Sequence, residues 1–379
     1  MYNVQENIHA SLGNFTMKGR WFRYSSFVPR LYNWCQTLGF EAGSIMPSRA
    51  FCSDESQGYP VILLAKHFAA FPFNHGRVGG IMAVDRHGPH THHGKDLMIV
   101  HASHVGYDPE TRHFGTYRRG QTEHSTCSSS CGKIDGILDW YLNEYKFAQN
   151  NILIDMRDDQ CRLTIDNKYL SNPRVNSLVL RLHKMLEQCP NGEMIPLSNQ
   201  STSRTFRASR AFYDLMCRFF TKTDGVVPIG KALLADLFMF QADLGNSGAD
   251  QLETNIIGVM PRIVTSKEPL LTAAQANTQA EFDRSYRSIS QEPAYQGRNL
   301  LYISGLNVDI SPEEGQLFPL TKFVPWAAYV QLKTGERYVL EQDALFDLLN
   351  QQSEENSAQI SLDDAIHSME EEEEVILHL

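Results

Sequence analysis

The chain has 379 residues, of which 42% are hydrophobic and 21% charged, and its formal net charge is −10 at pH 7. These values are typical of a folded protein with one large domain or two ordinary ones. The negative charge argues against a nucleic-acid or anionic-membrane partner, because such partners select a basic surface. No apolar run approaches the roughly 18 residues of a transmembrane helix. Residues 1–15 have no apolar signal core, and the seven cysteines are an odd number. We therefore expect a cytoplasmic protein with reduced thiols.

The first hundred residues predict one helix and several short strands. Apolar side chains within 27–38 fall on one helical face, and Gly39 is a suitable stop. Residues 59–66 form an apolar run that fits either a strand or a helix. Residues 79–84 and 97–101 are predicted to be strands, since buried strands of parallel sheets are short continuous apolar runs.

The middle of the chain is predicted to be mainly helical. A helix begins at Gly132, and the segments 152–154 and 162–165 flank a turn and are expected to pair as a hairpin. The further helices are predicted at 171–189, 208–221 and 229–244.

The last part of the chain returns to strands. Residues 300–307 are predicted to form a buried strand, and 323–349 a strand pair that leads into a helix at 342–350. From Gln351 the composition shifts to Gln, Ser and Glu, which indicates a solvated tail that contains Glu370–Glu374. Apolar strands interspersed with helices predict an α/β sheet with helices on both faces.

Side chains that bind metals concentrate between residues 52 and 131, which hold three of the seven cysteines and most of the histidines. Thiolate and imidazole donors together favour zinc, and a catalytic zinc has three protein ligands and a fourth position open to water. Cys52 follows an apolar approach and precedes Asp54 by two residues. His104 follows the predicted strand 97–101, at the kind of position where open α/β sheets carry functional loops.

Cys131 stands at the start of the predicted helix, where the helix N-terminus stabilises a thiolate. Cys127 competes with it, because His124 and Cys127 form a His-x-x-Cys pair. His101 competes with His104 but lies inside the predicted strand. The other histidines and cysteines are interpreted as solvated loop residues and as core or surface thiols: His87, His90, His92, His93, Cys35, Cys161, Cys189 and Cys217.

Several short motifs of this chain resemble the limiting-CO2-inducible protein B/C family, a divergent branch of the beta-class carbonic anhydrases. The motifs lie at 94–100, 103–106, 115–121 and 131–132, with a closing strand at 301–308 followed by 317–320. The resemblance covers roughly 45–325 and is strongest over 94–132. It implies a beta-carbonic-anhydrase-like α/β fold, in which helices flank a central, mostly parallel sheet, with an extra helical insertion and a C-terminal extension.

The helical spacing near the start of the chain predicts an N-terminal helical arm at 1–44, and the resemblance implies a zinc domain at 45–325 that includes a helical segment at 165–295. A C-terminal extension with the acidic tail then occupies 326–379. Beta-class enzymes usually build their site at a dimer interface, so a homodimer is also implied.

Carried over residue by residue, the resemblance makes Cys52, His104 and Cys131 the zinc ligands and Asp54 the acceptor that orients the fourth ligand. The implied function is zinc-dependent carbonic anhydrase, the reversible hydration of CO2 to bicarbonate. Phe71 and Phe73 are candidates to line a CO2 pocket, or else core residues.

Ser56 is the main departure from the family pattern, since beta-class enzymes carry there an Arg that pairs with the Asp. Arg77, Arg118 and Arg119 are candidates to replace it from other loops. The alternative hypothesis is a weak or inactive zinc-binding homologue that binds bicarbonate or a partner protein. A third is a thiol redox protein that uses Cys127 and Cys131, although no Cys-x-x-Cys motif is present.

Overall fold

The computed structural model describes residues 15–84, 95–118, 127–157, 160–171, 176–222, 224–242, 251–313, 315–316 and 318–371, apart from the side chain of Cys127. The chain forms two compact units. Ile134–Ala273 forms one, here called the insert unit. The described residues up to Lys133 and from Ala274 onward form the other, the sheet unit.

The secondary structure is given in chain order. The α-helices are α1 Tyr24–Thr37, α2 Gly58–Phe68, α3 Gly132–Asn151, α4 Leu182–Met185, α5 Arg210–Met216, α6 Gln251–Ile256, α7 Met260–Thr265, α8 Pro269–Ile289, α9 Gln342–Gln351 and α10 Leu362–Glu370. The strands are β1 Phe22–Arg23, β2 Ile45–Ala50, β3 Phe73–Asn74, β4 Gly76–Arg77, β5 Ile81–Met82, β6 Asp96–Asp108, β7 His113–Phe114, β8 Thr116–Arg118, β9 Cys127–Ser129, β10 Ile152–Asp155, β11 Arg162–Asp166, β12 Ser177–Leu180, β13 Ser198–Asn199, β14 Ser203–Arg207, β15 Val226–Pro228, β16 Phe238–Gln241, β17 Leu300–Ile310, β18 Leu320–Gln331 and β19 Arg337–Glu341.

The sheet unit is built on one large sheet with the strand order β1–β18–β17–β6–β2–β3. Strands β17, β6, β2 and β3 run parallel to one another. Antiparallel strands complete the sheet, because β18 pairs with β17, β1 and β19, and β7 pairs with β6. The predicted α/β architecture with a parallel centre is confirmed.

Helices cover both faces of this sheet. On one face, Phe27 of α1, Leu64 of α2 and Leu345 of α9 belong to the apolar core formed with β6, β17 and β18. On the other face, Phe282 of α8 packs with Tyr302 of β17 at a ring-centroid distance of 5.3 Å. Strands buried on both faces need apolar side chains throughout, which explains why β6 and β17 were recognisable in the sequence.

Strand β6 is longer than predicted and changes the setting of His104. The strand was expected to end at residue 101, but it continues to Asp108. His104 therefore lies inside a fully buried stretch of strand and not in the loop after it. The polar side chains do not end the strand because they have buried partners: Ser103 bonds to Asn277, and His104 to Asp309.

Several other predictions for the sheet unit agree with the structure, but the strand predicted at 79–84 is only β5, and the tail predicted to be solvated contains the buried Asn356 and helix α10. The ambiguous run at 59–66 is helical, and α2 is terminated by the next residue, Ala69, which has a left-handed φ of 53°. The predicted helix near residues 27–38 is α1, and the strand pair followed by a helix at 323–349 is β18, β19 and α9. Among the described residues, no helix has both the length and the apolarity needed to cross a membrane.

The first half of the insert unit is mainly β structure, so the helices predicted there are wrong in part. A five-stranded antiparallel sheet has the order β13–β14–β11–β10–β15, and β12 pairs with β16. The predicted hairpin is confirmed as β10–β11. Of the predicted helix at 208–221, only α5 is helical.

The two other predicted helices contain strands where apolar side chains alternate. Leu178 and Leu180 of β12 are buried while their neighbours are not, and Phe238 and Phe240 of β16 follow the same period of two. The segment 229–244 contains short 3₁₀ turns before β16. The apolar residues of these segments are also spaced as in a helix, but pairing between the two strands stabilises the extended conformation instead. Helices do occupy the later part of the expected helical segment 165–295, as α6, α7 and α8.

A buried histidine makes the stability of the sheet unit depend on pH. The pKa of His75 is lowered from 6.5 to about 3, mainly by burial and in part by the nearby His101 and Arg49. The folded state thus keeps His75 neutral, while the unfolded chain takes up a proton below about pH 6.5. This contribution to stability is therefore complete above pH 6.5 and is lost as the pH falls toward the folded-state pKa.

We expect His75 to account for a loss of about 2 kcal/mol in the free energy of unfolding between pH 7 and pH 5. Urea unfolding at both pH values measures it. His75→Asn, which keeps a polar group near the Ser48 hydroxyl that lies 2.7 Å from Nδ1, should reduce the difference between the two pH values. Replacement of the exposed His113 by Gln should leave it unchanged. If His75→Asn shows the same loss of unfolding free energy between pH 7 and pH 5 as the wild type, His75 is not the group responsible.

Candidate metal centre

Three buried side chains of the sheet unit converge: Cys52, His104 and Cys131. Their donor atoms all lie within 4.8 Å of one another, and the residues are 4%, 0% and 1% exposed. Ligand atoms around a tetrahedral zinc lie about 3.5–3.8 Å apart, so small adjustments complete such a site. In the part of the chain that the structure describes, no other group of three or more His, Cys, Asp or Glu meets this spacing.

Cys52 is placed by the end of β2 and by the β4–β5 hairpin. Gly76 lets the hairpin pack against the backbone, because a Cβ at Gly76 would lie 2.1 Å from the carbonyl oxygen of Phe51. The hairpin loop then directs the N–H of Gly79 to the Sγ of Cys52 at 3.1 Å. A hydrogen bond donated to sulfur stabilises its thiolate form.

Cys131 reaches the centre because the β8–β9 segment lies directly on β6. The N–H of Gly115 donates to the carbonyl of Gly106 at 2.8 Å, and the N–H of Ser130 donates to the carbonyl of Gly115 at 2.9 Å. A Cβ at Gly106 would lie 2.8 Å from both the Cβ of Ser130 and the carbonyl oxygen of Thr116. The missing side chain of Gly106 thus brings Cys131 beside His104, with α3 beginning at the next residue.

His104 has one ring nitrogen committed and the other unpartnered. Its Nδ1 lies 2.8 Å from Oδ2 of Asp309, which is fully buried. The carboxylate can only accept, so Nδ1 carries a proton, and Nε2 is the nitrogen that could coordinate a metal ion once it has no proton of its own. Nε2 is buried and has no hydrogen-bond partner. A buried polar atom without a partner is costly, and coordination of a metal ion would satisfy it.

Asp309 is the important residue that the sequence analysis missed. It also accepts hydrogen bonds from Ser56 Oγ at 2.8 Å, from Gln57 Nε2 at 3.0 Å and from Thr321 Oγ1 at 3.1 Å. Ser130 Oγ lies 3.3 Å away. Ligating histidines commonly donate their second nitrogen to such a carboxylate. The sequence did contain one indication of this role, since Asp309 is an acidic residue at the end of an apolar run that forms a strand.

The protons of the three donors are shared in a way that suits metal binding. A hydrogen bond from Cys131 lowers the pKa of the Cys52 thiol, although burial opposes this, and the same bond raises the pKa of Cys131. Burial disfavours charge on His104, but Asp309 and the two sulfurs raise its pKa above its ordinary value. Cys52 is therefore the first sulfur to become a thiolate, and a divalent ion that binds here displaces the remaining protons.

Asp54 lies beside the centre but is not part of the 4.8 Å group. Its Oδ1 accepts the N–H of Ser56 at 3.2 Å, and the hydroxyl of Tyr117 lies 3.5 Å away. The same hydroxyl donates to Glu55 at 2.8 Å. The pKa of Asp54 is raised, mainly by burial and also by Glu55, although His104 and the Ser56 N–H oppose this shift. The carboxylate is thus held by the backbone N–H of Ser56.

The remaining predicted residues lie elsewhere. His101 is outside the centre and bonds to Ser304 and to the carbonyl of Gly80. Arg118 pairs with Glu110 at 2.6 Å, and Arg77 is exposed. The predictions that involve Arg119, His124, the side chain of Cys127 and the cluster His87, His90, His92 and His93 lie outside the described residues.

The aromatic residues suggested for a CO2 pocket are exposed, at 76% for Phe71 and 45% for Phe73, so they are not core residues. Cys35 and Cys161 are buried thiols, Cys189 is partly buried and Cys217 is exposed, as predicted.

The fold and the site together define an α/β protein with a buried Cys–His–Cys group that could hold a metal ion. No protein-family model and no curated protein matches the chain. Among solved structures, it is similar to PtLCIB4, a homologue of the limiting CO2-inducible protein LCIB, at 12% identity and a TM-score of 0.42, over 84% of this chain and 94% of that one. LCIB itself is similar at 12% identity and a TM-score of 0.43, over 86% and 95% of the two chains.

These structures bear the name of the family that the sequence motifs resemble. A point variant of PtLCIB4 is similar at 9% identity and a TM-score of 0.47, over 84% of this chain and 93% of that one. Such values describe a distant likeness, and the assignment of the site rests on the geometry given above.

Proposed function

We propose that this protein is a zinc-dependent carbonic anhydrase of a divergent beta type, which hydrates CO2 reversibly to bicarbonate. The observation that carries the proposal is the group Cys52, His104 and Cys131, with the unpartnered Nε2 of His104 and with Asp54 beside it. Mixed sulfur and nitrogen donors suit zinc, and three protein ligands leave one position open. A zinc ion held there would supply the Lewis acidity that makes water a nucleophile near neutral pH.

Asp54 orients the attacking water in this proposal, because its carboxylate can only accept a hydrogen bond when ionised. Beta-class enzymes use an Arg to hold the corresponding carboxylate. Here the N–H of Ser56 is the nearby donor that supports the same role. Tyr117 donates its hydroxyl proton to Glu55, the neighbour of Asp54 in the chain. The side chain of Ser56 contributes elsewhere, through its bond to Asp309.

We expect Asp54→Asn to lower kcat/KM for CO2 hydration by about 100-fold, the usual contribution of a positioned acid–base group, while zinc stays bound. Tyr117→Phe should lower it less, at most about 10-fold, since the hydrogen bond of about 1.4 kcal/mol that it removes holds Glu55, next to Asp54, and not Asp54 itself. Stopped-flow CO2 hydration together with metal analysis measures both effects. Tyr141→Phe is the matched control, because this hydroxyl is bonded to Glu253 in the insert unit.

The second candidate is a zinc-binding homologue without turnover that binds bicarbonate or a partner protein. Ser56 favours it, because no Arg stands at this position. A wild-type protein that holds one zinc per chain but hydrates no CO2 would exclude the enzyme and leave this candidate. Ser56→Arg is a poor test, since position 56 is 1% exposed and its side chain is bonded to Asp309.

A further inference from the structure

The loop that contacts Cys52 is itself held by two side chains outside the metal centre. The N–H of Gly79 donates to Cys52 Sγ at 3.1 Å. The carbonyl of Gly79 accepts from Asn277 Nδ2 of α8 at 3.2 Å, and the carbonyl of Gly80 accepts from His101 Nε2 of β6 at 2.8 Å. Both peptide groups that follow the donating N–H are therefore fixed by buried donors.

His101 is held in a single protonation state that suits this role. It is fully buried, and burial lowers its pKa, which keeps the ring neutral. The Gly80 carbonyl can only accept, so Nε2 carries the proton and Nδ1 accepts from the Ser304 hydroxyl at 2.7 Å. His101 thus serves as a fixed donor.

The loop backbone has little freedom to adopt another position. Gly79 and Gly80 have φ values of 82° and 72°, which favour glycine. A Cβ at Gly80 would lie 2.6 Å from the carbonyl oxygen of Ala102, so the loop is pressed onto β6. Asn277 is fully buried and also donates to Ser103 of the same strand at 2.9 Å. Sheet, helix and loop are joined at this point.

We propose that Asn277 and His101 are positioning residues that fix the Gly79 N–H on the sulfur of Cys52, and thereby reduce the charge that this thiolate donates to a bound metal ion. Two thiolate ligands oppose the Lewis acidity that water activation requires, and a hydrogen bond to one sulfur offsets that effect. The inference rests on the proposed metal centre and extends it to residues that do not touch the ion.

Binding of Co2+, followed through its near-ultraviolet sulfur-to-cobalt charge-transfer band and by competition with a chelator, tests the inference without any assay of activity. Loss of the hydrogen bond from the Gly79 N–H makes the sulfur of Cys52 a stronger electron donor. The band should therefore move to longer wavelength in Asn277→Ala and His101→Leu. Both variants should bind Co2+ about 10- to 100-fold more weakly, because the loop no longer holds Cys52 in place. His101→Gln, whose amide can still reach the Gly80 carbonyl, should restore most of the wild-type band and affinity.

Thr278→Val is the matched control, since Thr278 is the buried neighbour of Asn277 on α8 and bonds to Ala274 and Gly305 instead. It should bind Co2+ as wild type does. A wild-type band and affinity in Asn277→Ala and His101→Leu would overturn the inference, and so would an equal change in Thr278→Val. Either Asn277→Ala or His101→Leu suffices for this test if the other variant does not fold. A wild-type protein without any charge-transfer band would instead overturn the metal centre itself.

Discussion

Replacing Cys131 with alanine is expected to abolish stoichiometric zinc binding, whereas Cys127→Ala is expected to preserve it. Cys131 lies within 4.8 Å of the donor atoms of Cys52 and His104. A structural zinc site is worth about 10–16 kcal/mol over its four ligands, so removal of one ligand should weaken binding at least about 100-fold. Metal analysis after dialysis, followed by a competition titration, measures the change.

The pair of variants also decides between the two cysteines that the sequence left open. Both substitutions remove one sulfur and have the same size, and only Cys131 immediately precedes α3. Zinc that is retained in Cys131→Ala and lost in Cys127→Ala would move the third ligand to Cys127. If both variants retain zinc, this site is excluded as the place where zinc binds.

Asp309→Asn is expected to have the second-largest effect, because it should reverse the tautomer of His104. The carboxylate of Asp309 accepts a hydrogen bond from Nδ1–H of His104. It also accepts hydrogen bonds from the hydroxyl of Ser56 and the amide of Gln57. An asparagine amide that donates to Nδ1 would move the ring proton to Nε2, the nitrogen needed by the metal. We expect at least 10- to 100-fold weaker zinc binding, the usual cost of losing such a partner.

Competition titration measures the affinity, and urea unfolding shows how much of the change is structural. Asp108→Asn is the matched control, since Asp108 is 1% exposed and lies in β6, where it accepts from Thr111 rather than from a ligand. Both variants should lose stability, but only Asp309→Asn should lose affinity for zinc. Equal zinc affinities in the two variants would contradict the role assigned to Asp309.

The sequence was sufficient to indicate the buried strands and the two-sided α/β architecture. It also singled out the three side chains that the structure brings together as a group that could hold a metal ion. Apolar runs identify β6 and β17, because a strand covered on both faces has no polar side. Cys52, His104 and Cys131 were recognisable because soft donors concentrate in one part of the chain and match a family pattern.

The contacts around the donors could not be predicted, because they depend on strand register. Asp309 reaches His104 only because Asn307 pairs with His104 and β17 lies next to β6. The glycines that allow close approach, such as Gly106, show their purpose only when the neighbouring backbone is known. In the insert unit, apolar residues fitted helical and strand periods alike, and the partner strands decided between them.

The bond between His104 and Asp309 spans 205 positions of the chain. During synthesis, the three residues of the proposed metal centre therefore leave the ribosome long before the carboxylate that orients the histidine. Nascent or truncated chains that end before β17 carry the thiols and the imidazole but cannot fix the imidazole for a metal ion. If the proposed centre holds an ion, its stable binding is consequently expected to be a late event in the maturation of this protein, after β17 has been made.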